Sequence, residues 1–391
     1  MLATRKFRNI AYAAGFLVAL QSALPAYWNA TFLGSILSER YVGLVFAAAS
    51  ALAIWLLILA AGWVKRFGTL AIASAFVIFD LIALFILSTS RVPLFLLLAF
   101  LLYSAIGYCL RYVIDLYLEG FSDDQSTGSI RGLYLTAINL AWLASPFLAS
   151  RLIESGGYQT VFILALLSTL PLLALLPAGR SAETSSNAPS KALIWLRLKE
   201  IWHDRKGPAK DIFNILSIDL LLNFFYAIMV VYTATYLKTV IGLSAGEVGL
   251  AFTIMLIPFV VVDYPLGRLA DRVCGEKEIL IGALVLMILA TATVSFVTSS
   301  NLWCWAIILL LTRIGAASLE VMKETYLFKK IGPDDSDILF LSRANIPFSY
   351  LIGPLFVTAF LFVFPLKFVF LALAIMLIFG LPIALRLRDT R

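Results

Sequence analysis

In the stretch "GRLADRVCGEKE", residues 267–278, half of the side chains are charged. It lies between two apolar runs, "LAFTIMLIPFVVVDYPL" at 250–266 and "ILIGALVLMILATATVSFV" at 279–297. A charged island between two apolar runs of this length is typical of a short loop that joins two membrane-spanning helices. The sequence therefore predicts a helical membrane protein.

The composition supports this prediction. Hydrophobic residues make up 62% of the chain and charged residues 14%, against roughly 45–50% and 25% in soluble domains. A soluble protein could not cover so much apolar surface, so lipid is the expected solvent. The sequence has no phosphate-binding loop, nucleophile motif or CxxC pair. We therefore expect no enzyme, no ATP-driven pump, no cofactor and no metal.

The apolar residues form twelve segments, six on each side of one long polar stretch. The segments are about 8–33, 42–63, 69–88, 93–118, 130–152, 158–177, 211–238, 246–268, 277–298, 302–328, 337–361 and 366–386. The predicted fold is an all-α membrane protein with twelve transmembrane helices in two six-helix bundles, 1–177 and 211–391. Within the linker 178–210, "KALIWLRLKEIW" at 191–202 alternates apolar and basic residues and predicts an amphipathic helix on the membrane surface.

The basic residues predict the orientation. If the N-terminus is cytoplasmic, 22 of the 30 Lys and Arg residues fall on the inner side and five on the outer side. Cytoplasmic loops carry this excess, so both termini and the linker are predicted to be cytoplasmic, in a plasma or inner membrane. The net charge of +7 follows from this topology, and no nucleic acid partner is expected.

The two halves repeat each other in short matches. "ATFL" at 30–33 precedes "YVGLVF" at 41–46, and "ATYL" at 234–237 precedes "EVGLAF" at 247–252. Ordered matches together with equal segment counts indicate an internal duplication, which is a known architecture among transporters.

The opening loop resembles a motif of the major facilitator superfamily, in which a glycine and three residues precede Asp-Arg, followed by a glycine and basic residues. The matching residues are Gly267, Asp271, Arg272, Gly275 and Lys277. The loop departs from the motif by one extra residue before the second glycine and by Glu276, where a basic residue is usual. The copy in the first half, "GWVKRFG" at 62–68, has Arg66 where the motif has aspartate.

The resemblance implies two bundles that rock around a central cavity, with a cytoplasmic gate that opens and closes. The residues assigned to this gate are Gly267, Asp271, Arg272, Asp115 and Glu324. An ordinary positive-inside loop without a gating role is the alternative for 267–278.

The resemblance also implies that the first, fourth, seventh and tenth helices line the substrate path. Their candidate cavity residues are Gln21, Tyr108, Arg111, Asp219, Asn223, Tyr226, Arg313 and Glu320. Within each helix these residues share one face by their spacing. The alternative is structural pairing within one helix, as between Arg111 and Asp115 or between Lys323 and Glu320.

Three acids are candidates for proton coupling: Asp80, Asp219 and Glu320. Asp80 lies in the middle of "AFVIFDLIALF" and has no charged neighbour on its own segment. Charges at membrane depth are expensive and usually mark function. The alternative for Asp80 is a structural acid that is neutral or paired across helices.

The sequence thus predicts a monomeric secondary active transporter whose partners are the lipid bilayer, a small solute and, as candidate coupling ions, protons. Arg111 and Arg313 favour an anionic or zwitterionic solute over a lipophilic cation. The alternative function is a polytopic membrane protein that keeps the fold without transporting, such as a sensor, a lipid-handling protein or an assembly partner.

Overall fold

A computed structural model describes residues 2–119, 127–178, 208–262, 265–266, 275–330 and 336–388. In these ranges all the regular secondary structure is helical. Helices are expected in lipid because the backbone must satisfy its own hydrogen bonds there. The elements are α1 (Leu2–Ala26), α2 (Asn29–Gly34), α3 (Glu39–Phe67), α4 (Thr69–Thr89), α5 (Pro93–Glu119), α6 (Thr127–Gly156), α7 (Tyr158–Thr169), α8 (Leu172–Ala178), α9 (Pro208–Tyr236), a π-helical turn (Leu237–Ile241), α10 (Ala245–Leu256), α11 (Pro258–Val261), α12 (Glu276–Val294), α13 (Leu302–Lys330), α14 (Ser336–Phe360), α15 (Lys367–Ile378) and α16 (Gly380–Leu385).

Each of the twelve predicted segments contains helix within the described residues, and the fold class is confirmed. Eight helical stretches among the described residues are long and apolar enough to cross a membrane, two of them formed by α7 with α8 and by α15 with α16, and two shorter apolar stretches are Tyr12–Ala26 and Ala245–Val261. Some predicted segments are broken into two helices. Pro171 stands between α7 and α8, and Pro258 begins α11. Proline removes a backbone donor and interrupts a helix there.

Large apolar side chains cover much of the outer surface of these helices. Trp55 on α3, Leu289 on α12 and Phe379 before α16 are among the most exposed side chains. Such a surface would aggregate in water but is well solvated by lipid tails. The chain is a multi-pass membrane protein.

The chain divides into two compact units. The first unit is Met1–Asn187 with Ser244–Thr253, and the second is Ala188–Leu243 with Ile254–Arg391. In the first unit, α1 packs on α6 and α7, and α5 packs on α3 and α4. The start of α10 belongs to this unit, where the Gly246 N–H donates to Glu154 Oε1 at 2.6 Å. The bundle boundaries 1–177 and 211–391 remain a prediction.

In the second unit, α9 packs on α13 and α14, and α12 packs on α13 and α15. The α12–α13 contact is close at Gly315. A Cβ there would meet the Ala283 carbonyl oxygen at 2.9 Å and Met287 Cγ at 2.6 Å. Small residues allow transmembrane helices to approach in this way. This packing fixes α13, which carries six of the charged side chains discussed below.

Candidate functional site: buried charges in the membrane helices

Asp219 is the centre of a buried polar cluster in the second unit. It lies on α9 and is 2% exposed. Its Oδ1 atom is contacted by Lys323 Nζ from α13 in an ion pair between two buried side chains. Asn223, one turn further along α9, donates to the same Oδ1 atom at 3.0 Å. Spacing predicted that Asp219 and Asn223 share a face, and the structure brings them together.

The other carboxylate oxygen of Asp219 is bound by α14. Ser342 Oγ donates to Oδ2 at 3.0 Å, and Asn345 Nδ2 donates to it at 2.8 Å. Asn345 Nδ2 also donates to the Leu216 carbonyl oxygen at 3.2 Å. Four side chains therefore satisfy Asp219 and tie α9, α13 and α14 together. We refer to Asp219, Asn223, Lys323, Ser342 and Asn345 as the Asp219 cluster.

Sequence reasoning missed three members of the Asp219 cluster. Lys323 was considered as an intrahelical partner of Glu320, but it pairs with Asp219 of another helix instead. Ser342 and Asn345 are not among the predicted site residues. Their three-residue spacing places them on one face of a helix, and this was the available signal.

Glu324 lies next to Lys323 on α13. Its Oε1 atom lies 3.5 Å from Lys323 Nζ and 3.5 Å from Arg343 Nη1. Further along, Lys330 pairs with Asp211 at 3.2 Å, and Lys329 pairs with Glu276. Such ion pairs connect the ends of helices within the second unit.

Arg313 has a different environment. It lies on α13, is 1% exposed, and its Cζ atom is 5.4 Å from the ring centroids of both Phe225 and Tyr226. Its Nε and Nη2 atoms have no hydrogen-bond partner among the described residues. The Tyr226 hydroxyl donates to Glu320 Oε2 at 2.7 Å. The structure therefore brings together Arg313, Tyr226 and Glu320, three of the predicted cavity residues.

The first unit has its own buried polar groups. Asp80 on α4 is fully buried, and neither carboxylate oxygen has a hydrogen-bond partner in the described ranges. The Tyr103 hydroxyl donates to the Gln21 carbonyl oxygen at 3.1 Å. The side-chain amide of Gln21 is likewise buried without a described partner.

No group of three His, Cys, Asp or Glu side chains among the described residues could hold a metal ion. The buried groups instead offer ion pairing, hydrogen bonding and uptake or release of protons.

The family model described as the Major Facilitator Superfamily matches residues 11–244 and again residues 220–391. The chain belongs to the Major Facilitator Superfamily.

Solved structures of this superfamily share the fold. The nucleoside transporter NupG is 12% identical, with a TM-score of 0.71, and the match covers 99% of this chain and 100% of that one. The human organic anion transporter MFSD10 (TETRAN) is 15% identical, with a TM-score of 0.68 over 97% and 99% of the two chains. A bacterial homologue of the human lysosomal transporter Spinster is 14% identical, with a TM-score of 0.67 over 99% and 94%. No curated protein matches the chain in sequence.

For the remaining candidate residues, the structure gives only the burial of some, and others lie outside the described residues. Tyr108 is half-buried on α5, and Arg111 is exposed on the same helix. Asp115 lies on α5 too, but its side chain is outside the described residues. The loop residues Gly267, Asp271 and Arg272 and the linker helix 191–202 also lie outside them.

Proposed function

We propose that this protein is a secondary active transporter that moves a small solute across a membrane by alternating access. The supporting observation is the superfamily match, which spans both halves of the chain. Parallel six-helix repeats rocking around a shared site are the usual mechanism of this architecture. Asp80 on α4 and Arg313 on α13, two buried groups with polar atoms that have no partner among the described residues, support the same function, because charged groups at membrane depth usually mark a transport path.

Proton coupling through Asp80 is part of this proposal. Asp219 is held by Lys323, and Glu320 by the Tyr226 hydroxyl. Asp80 alone of the three candidate acids has no hydrogen-bond partner in the described part of the chain. A carboxyl group without fixed partners can gain and lose a proton without breaking a network. A proton taken up on one side of the membrane and released on the other would couple solute flux to the proton gradient.

Uptake into proteoliposomes tests the proposal. The panel should include uridine and benzoate, because two proteins with a similar fold are described as a nucleoside transporter and an organic anion transporter. We expect uptake of at least one solute above that of protein-free liposomes, and stimulation by an imposed pH gradient. Asp80→Asn should keep the folded protein and lose this stimulation. Failure to transport any solute from a broad metabolite panel would favour a non-transporting protein that has kept the fold.

The predicted orientation in the cell membrane has a separate test. A cysteine at Ser186, within the linker, should be introduced after replacement of the three native cysteines. If the linker is cytoplasmic, an impermeant thiol reagent should label this cysteine only after lysis. Labelling in intact cells would reverse the orientation.

A further inference from the structure

Arg313 is a buried cation for which the described residues supply no anion. It lies within the membrane-spanning helix α13 and is 1% exposed. Within the described ranges no carboxylate pairs with Arg313, and its Nε–H and Nη2–H groups donate to no hydrogen-bond acceptor. An uncompensated charge at this depth destabilises a membrane protein. An arginine that served only the fold would be expected to have a partner, as Lys323 has in Asp219.

The aromatic rings of Phe225 and Tyr226 do not fill this need. They lie 5.4 Å from Arg313 Cζ and stabilise the cation through their π electrons. They do not supply the oxygen lone pairs that the N–H groups of a guanidinium bind in its plane. The rings therefore hold the guanidinium in place, while the described residues leave its Nε and Nη2 edge without a hydrogen-bond acceptor.

The two unsatisfied nitrogen atoms lie on the same edge of the guanidinium. Nε–H and one N–H of Nη2 point in nearly the same direction and form a fork. A carboxylate accepts two parallel hydrogen bonds from such a fork. Together these two N–H groups fit a planar oxyanion that approaches from the side of the guanidinium.

We propose that Arg313, supported by Phe225 and Tyr226, binds the carboxylate of a monocarboxylate solute; its role as a substrate site rests on the proposed transport function. Glu320 limits the ligand to one negative group. Glu320 lies seven residues after Arg313 on the same face of α13, so the two backbone positions are separated by roughly 10 Å along the helix axis. Its carboxylate accepts a hydrogen bond from the Tyr226 hydroxyl. A second negative charge in that direction would be repelled.

Thermal unfolding of the purified protein tests the proposal. The probes are acetate, lactate and benzoate, compared at equal ionic strength with chloride, inorganic phosphate and neutral benzamide. We expect at least one carboxylate to raise the melting temperature while chloride and benzamide do not. Arg313→Met should abolish the shift. Arg151→Met should retain it, because Arg151 lies over the Phe147 ring but is exposed on α6.

Two further measurements separate ligand binding from a structural role. Without ligand, Arg313→Met should melt no earlier than the parent, whereas Lys323→Met, which strands Asp219, should melt earlier. Arg313→Lys keeps the charge but loses the fork, so it should fold and bind the carboxylate at least about tenfold more weakly. The proposal is overturned if no carboxylate shifts the parent, if phosphate alone does, if Arg313→Lys binds as the parent does, or if Arg313→Met melts as early as Lys323→Met.

These outcomes are distinct from failure of the proposed function. Carboxylate binding that depends on Arg313 without flux in proteoliposomes would keep the site and refute transport. Flux without such binding would keep transport and refute the site.

Discussion

Asp80 in the first unit and Asp219 in the second are both fully or almost fully buried on helices that cross the membrane. Their surroundings differ. Asp219 is bound by four side chains from three helices, and Asp80 by none that the structure describes. Depth in the membrane therefore does not by itself assign a role to an acid. The Asp219 carboxylate joins three helices, whereas Asp80 is the acid for which we propose proton exchange.

Lys323→Met should have the largest effect on stability. It leaves Asp219 as a buried acid without its cation, and breaking a buried pair in this way costs about 3–5 kcal/mol of the free energy of unfolding. Chemical denaturation in mild detergent, followed by tryptophan fluorescence, measures the loss.

The double variant Lys323→Met/Asp219→Asn is its control, because it also removes the stranded charge. It should recover part of the lost stability. A Lys323→Met protein as stable as the parent would mean that the Asp219 cluster does not hold the second unit together.

Asn345→Ala should have an intermediate effect. Asn345 donates both to Asp219 and to the Leu216 carbonyl oxygen, and a hydrogen bond to a charged group contributes about 1.5–3 kcal/mol. Ser342→Ala is the matched variant, because Ser342 makes one of these contacts rather than two. Its loss of stability should be smaller under the same denaturation conditions. The reverse order would show that the hydroxyl, not the amide, dominates binding to Oδ2.

Asp80→Asn should have the smallest effect on stability. No described hydrogen bond is lost, and the amide has nearly the same shape, so the free energy of unfolding should change by less than about 1 kcal/mol. The pH dependence of transport should disappear although the melting temperature is kept. A loss of stability as large as that of Lys323→Met would show that Asp80 is structural and would remove the contrast with Asp219.

The fold was predictable because the apolar segments are long and their hydropathy pattern is strong. Helix breaks were less predictable. Pro258 begins α11, yet Pro146, Pro347 and Pro354 lie inside helices that continue through them. In a membrane, neighbouring groups can satisfy the backbone atoms that a proline frees. A proline in an apolar segment therefore does not by itself predict where a helix ends.

The candidate site was predictable only in part. The spacing of Asp219 and Asn223 indicated their contact, because both lie on one helix. The pairing of Asp219 with Lys323 joins residues 104 positions apart, and that with Asn345 joins residues 126 apart. Helical periodicity says which residues share a face but not which faces meet. For the same reason, Arg111 and Arg313 were similar in sequence, and only their burial separates them.

The long separations within the Asp219 cluster also have a consequence for biosynthesis. The chain is made from its N-terminus at about 5–20 residues per second, so Lys323 follows Asp219 by roughly 5–20 s. Ser342 and Asn345 emerge later still. During this interval α9 contains an acid for which the chain has not yet produced the cation. Release of α9 into lipid before α13 is available would leave that acid unpaired, so the nascent second half gains from a translocon or chaperone that retains α9 until α13 and α14 arrive.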